Sequence, residues 1–265
     1  MRAIEELQKE VWGLPDIDVV PVTQLVAATA TGGVVIGAFD GYILVGFAYG
    51  FVGYEGGHVT HHSHMLAVKP DHRSRNVGQM LKLAQRDWVC RQGIKRMTWT
   101  FDPLQSVNAY FNFNKLGIVA DRYLVNFYGE DAASFLHRNG TDRLWVTWLL
   151  SSRRVRERLE LGPLSTDIGN AHQLVQVGRD RIPLRRPLGE EPVADTVVIE
   201  IPADISAVER DSLEIASQWR VATREAFREA INAGYLVDDF HRGDREGHEV
   251  GRYALIRAKT LEDIE

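Results

Sequence analysis

The run Met65-Leu-Ala-Val-Lys-Pro-Asp-His-Arg-Ser-Arg-Asn-Val-Gly-Gln-Met-Leu81 changes its hydrophobic period without any linker, and this constrains the chain more than any other stretch. Leu66, Ala67 and Val68 are apolar and lead to Pro70. A polar turn follows, and Val77, Leu81, Ala84 and Trp88 then recur at helical spacing. A strand delivered straight into a helix calls for an α/β arrangement. The first N–H groups of such a helix have no intrahelical acceptor, so together with the turn amides they form an anion site. A phosphate group is the expected guest.

The flanks agree with that architecture. Ile4, Leu7, Val11 and Trp12 share one face of a first helix over about residues 2–12, ended by Gly13 and Pro15. A short second helix spans Thr23 to Ala28. Val34–Phe39 and Tyr42–Tyr54 flank Asp40-Gly41, a strong hairpin signal, and Gly46, Gly50 and Gly53 mark bulges or close backbone approach in the second arm. Val59–Lys69 is a third strand carrying His61-His62-Ser63-His64. The helix from about Gly78 to Arg91 stops at Gln92-Gly93, and Lys95–Phe101 resumes as a strand. Strand, helix and strand in this order predict a crossover between parallel neighbours. Asn108–Leu116 reads as a short helix opened by Asn108 and closed by Gly117 in the C′ position, and Ile118–Tyr128 and Leu144–Leu150 read as strands.

Beyond Leu150 the composition shifts. Ser151–Arg158 is a charged helix expected to be solvated, and residues 159–193 hold four prolines and little periodicity. We therefore expect a domain over residues 1–150, a connector over 151–193 and a small α/β extension over 194–265. In the extension, Ile215, Trp219, Ala222, Ala226 and Ala230 form a helical stripe expected to be core, between strands at Thr196–Ile201, Tyr235–Phe240 and Val250–Ile256.

Charge and cysteine content narrow the function classes. The chain has 36 acidic against 31 basic residues, a formal net charge of −5, which argues against nucleic acid or an anionic membrane as partner. No apolar run reaches the roughly 18 to 20 residues that cross a bilayer. The single cysteine, Cys90, excludes an intramolecular disulfide and fits a reducing compartment, so a cytoplasmic protein is expected. Arg73-x-x-Asn76-x-Gly78 is too short for a dinucleotide fingerprint and lacks the Lys-Ser/Thr pair of a nucleoside triphosphatase loop. No Gly-x-Ser-x-Gly elbow occurs either.

What this hexapeptide does resemble, preceded by Leu66-Ala67-Val68-x-Pro70, is the pyrophosphate loop of the GNAT superfamily of N-acetyltransferases, written Arg/Gln-x-x-Gly-x-Gly/Ala. Arg73 and Gly78 match. Asn76 replaces glycine, and Asn is the next most tolerant residue for a left-handed backbone. The family's following helix, Asn-x-x-Ala-x-x-Leu-Tyr-x-x-x-Gly-Phe, is echoed by Asn108-Ala109 and by Lys115-Leu116-Gly117. Thr141-Asp142-Arg143-Leu144 and Trp219-Arg220-x-x-Thr223-Arg224 are similar to a bacterial group of such proteins with a C-terminal extension.

The resemblance implies a mixed sheet splayed between the strands around Val68 and Trp99, with acetyl-CoA as acyl donor. Main-chain groups of Leu66, Ala67 and Val68 would hold the pantetheine arm. The amides around Arg73, Ser74, Arg75, Asn76, Val77, Gly78 and Gln79 would hold the diphosphate, with Asn108 at the cofactor or capping its helix. Arg73, Arg75 and Lys82 could reach phosphates. A small primary amine is the expected acceptor, attacking directly; aminoglycoside, peptide N-terminus and protein lysine stay open. A homodimer is left open too.

The glutamate that many members place on the strand ahead of the loop is His62 here, and His64 follows on the same strand face. Near its ordinary pKa of about 6.5, either imidazole could act as base, His62 ahead of His64. The family's tyrosine acid is replaced by Phe113, which cannot protonate a thiolate, and neither Tyr110 nor Tyr123 matches that position. An acyl-CoA-binding sensor or interaction module without catalysis is therefore the second reading. A metal site is the third: His58, His61, His62 and His64 would need a further ligand from His72, His137 or a carboxylate, and the expectation is no metal.

Overall fold

The computed structural model describes residues 1–129, 139–163, 166–169, 171–189, 194–258, 260 and 261. The chain divides into two compact units, and the division falls inside one strand, after Trp99.

The first unit runs α1 (Arg2–Trp12), α2 (Val22–Ala30), β1 (Val34–Asp40), β2 (Ile43–Glu55), β3 (His58–Val68), α3 (Val77–Arg91) and the start of β4 (Arg96–Phe101). Its strands lie in the order β1-β2-β3-β4. The expected hairpin at Gly41 forms, with Asp40 opposite Ile43, and a second joins Glu55 to His58. β3 and β4 run parallel across α3, as the strand-helix-strand order requires.

Period-two alternation sorts the side chains of this sheet onto two helical layers. Phe47, Tyr49 and Ala67 face α1 and α2, where they bury Ile4, Leu7, Val11 and Leu25. Ala48, Leu66 and Val68 face α3 and cover Val77 and Leu81. One irregularity interrupts the pattern. Tyr49 pairs with Met65 but Phe51 pairs with His62, so Gly50 alone opposes both Ser63 and His64. The extra residue is a β-bulge. No side chain fits at Gly50, because a Cβ there would lie 2.4 Å from His61 Nε2 and 2.6 Å from the carbonyl oxygen of His62.

The buried face of α3 differs from the expected stripe. Val77, Leu81, Lys82, Gln85 and Val89 are buried, Trp88 is half-buried and Ala84 is exposed. The apolar pattern missed this face because the inner side of β3 is polar: His61 and Ser63 meet Lys82 and Gln85, and each group supplies the other's hydrogen bonds. Cys90 is half-buried.

The second unit continues with α4 (Ser106–Ala109), prolonged as a π-helical stretch over Tyr110–Leu116, and then β5 (Val119–Leu124), β6 (Arg143–Leu149), α5 (Arg153–Leu161), β7 (His172–Val177), β8 (Pro183–Arg185), β9 (Thr196–Pro202), α6 (Ile205–Asp211), α7 (Leu213–Asn232), β10 (Tyr235–Arg245) and β11 (His248–Arg257). Its strands are ordered β6-β5-β10-β11-β9-β7-β8, antiparallel except for β7 beside β9. Gly117 takes φ +72 as the residue closing the π stretch, the left-handed position expected of it.

The stretch expected as a connector is structured. Leu174 and Val175 of β7 are fully buried, and the six-residue strand is too short for its period to show in the sequence. The charged helix is packed as well as charged. Val155 and Arg158 of α5 are buried, Arg154 pairs with Asp238 at 2.6 Å, and Ser152 caps the helix by accepting from Val155 N–H. The stripe of α7 is core as expected: Trp219 is fully buried and donates from Nε1 to the carbonyl of Arg181 at 2.7 Å.

Candidate active site

The turn between β3 and α3 is tied down before it reaches the helix. Lys69 N–H donates to Val45 O at 2.8 Å, Pro70–His72 forms one 3-10 turn, and Arg73 Nε donates to Val68 O at 3.2 Å. Ser74 and Asn76 then both adopt left-handed backbones, at φ 63 and φ 60. Asn76 was anticipated in that conformation and Ser74 was not. The first intrahelical bond of α3 runs from Met80 N–H to Asn76 O, so the amides of Val77, Gly78 and Gln79 precede the ladder and point toward the turn. Arg73, Ser74, Arg75 and Asn76 are exposed, Gly78 and Gln79 half-buried, and Val77 buried. An added methyl at Gly78 would meet only Leu66 and Val68, at 3.9 and 4.0 Å.

Upstream, β3 and β4 part. Their parallel ladder holds two pairs, His61 with Met97 and His62 with Thr98, while on its other edge β3 stays paired with β2 as far as Val68. Leu66, Ala67 and Val68 therefore lie beyond the end of the β3–β4 ladder and directly before the left-handed turn.

The bulge decides where the histidines point. His62 and His64 share the α1 side of the sheet with ring centroids 6.2 Å apart, and both rings pack against Phe51, at 5.4 and 5.8 Å. Tyr49 meets His64 edge-on at 6.0 Å. His62 Nδ1 lies 3.1 Å from Thr98 Oγ1. Burial, aided by its charged neighbours, lowers the His62 pKa to about 4, and burial lowers His64 as well. The expectation of an ordinary imidazole near 6.5 is thus corrected: His62 is neutral at physiological pH, with a free base form but weak proton affinity.

His61 faces the other way, toward α3. It is fully buried and likewise lowered to about 4 by burial and by Lys82. His58 is exposed, and His72 lies 3.4 Å from Asp40. Among the described residues no group of three histidine, cysteine or carboxylate side chains could hold a metal ion, and His137 lies outside those residues.

Residues 2–117 match the family model described as Acetyltransferase (GNAT) family. Over these residues the chain is similar to the GNAT acetyltransferases. Among solved structures it is similar to an aminoglycoside 6'-acetyltransferase type Ii (20% identity, 57% of this chain and 90% of that one, TM-score 0.45). It is also similar to the ribosomal-protein-S18-alanine N-acetyltransferase of Escherichia coli (13%, 57% and 88%, TM-score 0.46). A third is a GNAT family acetyltransferase of Elizabethkingia anophelis with acetyl-CoA bound (14%, 54% and 88%, TM-score 0.42). A comparison with curated proteins finds no match.

Behind the histidine pair, the first unit holds a polar chain that composition and period did not signal. Lys82 Nζ donates to Ser63 Oγ at 2.8 Å, Ser63 donates to Gln85 Oε1 at 2.7 Å, and Gln85 Nε2 reaches His61 Nε2 at 3.2 Å. An amide nitrogen can only donate, so His61 Nε2 accepts and the ring proton sits on Nδ1, a buried atom with no partner among the described residues. Lys82 is 2% exposed, so the notion that it reaches phosphate is overturned. Only the pairing of His-Ser-His on a strand with Lys82 and Gln85 on one helix face would have hinted at the chain.

The remaining candidates lie in the second unit. Asn108 is exposed in the first turn of α4, which starts at Ser106, so it does not open the helix. Phe113 is fully buried, with Phe101 at 6.3 Å and Tyr253 at 5.8 Å. Tyr123 donates to Asp142 at 2.8 Å and is held protonated by burial, while Tyr110 lies under the Arg242 guanidinium. No membrane-spanning helix occurs among the described residues.

Proposed function

We propose that this protein moves the acetyl group of acetyl-CoA to a primary amine of a small acceptor by direct attack. The observation that carries the reading is the parting of β3 from β4 immediately ahead of the left-handed turn that opens α3. An extended arm can pair with the main chain of Leu66, Ala67 and Val68 as a strand would. Its diphosphate would then lie on the amides of Arg73, Ser74, Arg75, Asn76, Val77, Gly78 and Gln79, with the helix dipole and two exposed arginines favouring negative charge. Asn108 stays a cofactor candidate by its match to the family motif.

The amine must lose a proton as it attacks. His62 is the base in this proposal. With its Nδ1–H donated to Thr98 Oγ1, its Nε2 carries the lone pair that takes that proton directly or through water. His64, packed beside it, is the second candidate. A lowered pKa makes His62 available at all ordinary pH values but a modest base, so it serves best for an acceptor that arrives as the neutral amine.

Phe113, buried and without a hydroxyl, favours one rival reading, an acyl-CoA-binding module that does not turn over. Calorimetry with acetyl-CoA followed by thiol release over an amine panel separates the two. Binding with turnover supports the enzyme, binding without turnover on any amine supports the module, and absence of binding refutes both.

A further inference from the structure

The fate of the leaving thiolate raises the question of what a fully buried lysine is doing in this domain. Lys82 lies on the α3 side of the sheet, 2% exposed, with Nζ 2.8 Å from Ser63 Oγ on β3 and 3.6 Å from the centroid of the Trp99 ring on β4. Ser63 and Trp99 are the residues next after the last β3–β4 pair, His62 with Thr98. One amine therefore bridges the two strands at the point where they separate. Among the described residues it has no carboxylate partner; its neighbours are a hydroxyl and the face of an indole.

A cation desolvated in this way is costly unless an anion accompanies it at some stage. Removing one partner from a buried pair is strongly unfavourable, and here the partner is missing from the start. A negative charge generated at the mouth of the gap would complete the pair. The proposed reaction makes such a charge, because the acceptor's nitrogen forms a bond to the acetyl carbon and the carbon–sulfur bond then breaks with its electron pair on sulfur.

We propose that Lys82 is the residue that receives this charge: its ammonium faces the sulfur of coenzyme A at the apex of the β3–β4 gap and pairs with the leaving thiolate. The inference rests on the proposed function. Nitrogen loses its proton to His62, which releases it to solvent, and the carbon–sulfur bond breaks to leave a thiolate beside the Lys82 ammonium, which keeps its proton. Lys82 thereby stabilises a leaving group that Phe113 cannot protonate. Burial alone lowers the Lys82 pKa well below its ordinary 10.5, and an adjacent thiolate opposes that shift. The groups facing it are His61 from β3, which is neutral, Gln85 from its own helix, and Trp99 from β4, with neutral His62 behind on the other face of the strand. Among the described residues no anion competes for the charge. Ser63, anchored to Gln85, holds the amine in line with the gap.

The test needs no knowledge of the acceptor. The thiol of bound coenzyme A is titrated by its ultraviolet thiolate absorbance on the full chain and on K82M, which removes the charge while filling the same space. K82Q keeps a hydrogen bond to Ser63 and removes only the charge, and it serves if K82M does not fold. In the wild type the bound thiol should titrate at least about one pH unit below the free coenzyme, as thiols beside lysine do. In either variant the shift should vanish, with affinity for acetyl-CoA changed less than about threefold. Identical thiol titration in wild type and a folded variant overturns the role of Lys82 and leaves the proposed function standing. Failure of the wild type to bind coenzyme A overturns both.

Discussion

Acid should weaken the first unit through a buried imidazole, between about pH 6.5 and pH 4. His61 is fully buried and its pKa falls from 6.5 to about 4. The folded form resists protonation while the unfolded chain accepts it, so stability is complete above pH 6.5 and is lost as pH falls toward 4. Each pH unit of difference corresponds to about 1.4 kcal/mol, so this imidazole withdraws about 2 to 3 kcal/mol by pH 4.5. His62 falls to about 4 as well and adds a loss of similar order, reduced where the two repel. Asp142, whose pKa lies below 3.8, contributes only at more acidic pH. Urea unfolding followed by tryptophan fluorescence at intervals from pH 7.5 to 4.5 measures the loss; Trp88 lies 5.9 Å from His61 and reports locally. The variant H61Q still offers an acceptor to Gln85 and cannot titrate, so its curve should be flatter by about 2 to 3 kcal/mol over the same range. A wild-type curve that stays level from pH 7.5 to 4.5, or one that H61Q leaves unchanged, refutes the argument that burial holds this ring neutral.

Other expectations follow from particular contacts. Gly50→Ala places a Cβ inside contact distance of His61 and of a carbonyl oxygen, so denaturation should show a loss of about 3 kcal/mol or more. Gly78→Ala meets only ordinary contacts, so it should fold with stability equal to or slightly above the parent and keep acetyl-CoA binding by calorimetry. Trp219→Ala removes a fully buried indole and its hydrogen bond, and thermal or urea melts should register about 3 to 5 kcal/mol. Asp102→Asn breaks a bidentate pair with Arg220, two bonds of 2.8 Å on a guanidinium 5% exposed. Leaving that cation unpaired should cost about 3 to 5 kcal/mol in the same assay.

Much of the domain's first half was legible because its residues obey local rules. Asp40-Gly41 turned where it should, Gly117 ended its helix with a left-handed backbone, and Asn76 took the conformation its chemistry permits. The His-x-His pair was also readable, since alternate strand residues share a face. Both β7 and the packed α5 were harder to see. Their burial depends on partners brought from distant sequence, such as Asp238 against Arg154, and a short strand among prolines leaves no period to detect.

By itself, the sequence determined the strand–turn–helix at Met65–Leu81, the left-handed backbone at Asn76 and the acetyltransferase likeness, because turn chemistry and periodicity act over a few residues. Only the tertiary structure decided which side of β3 each polar residue faces, that Lys82 is buried at the parting of two strands, and that His62 is neutral. Register across Gly50 sets the first, since one extra residue re-aims the strand. Desolvation sets the other two, and burial is created by neighbours that no local pattern names.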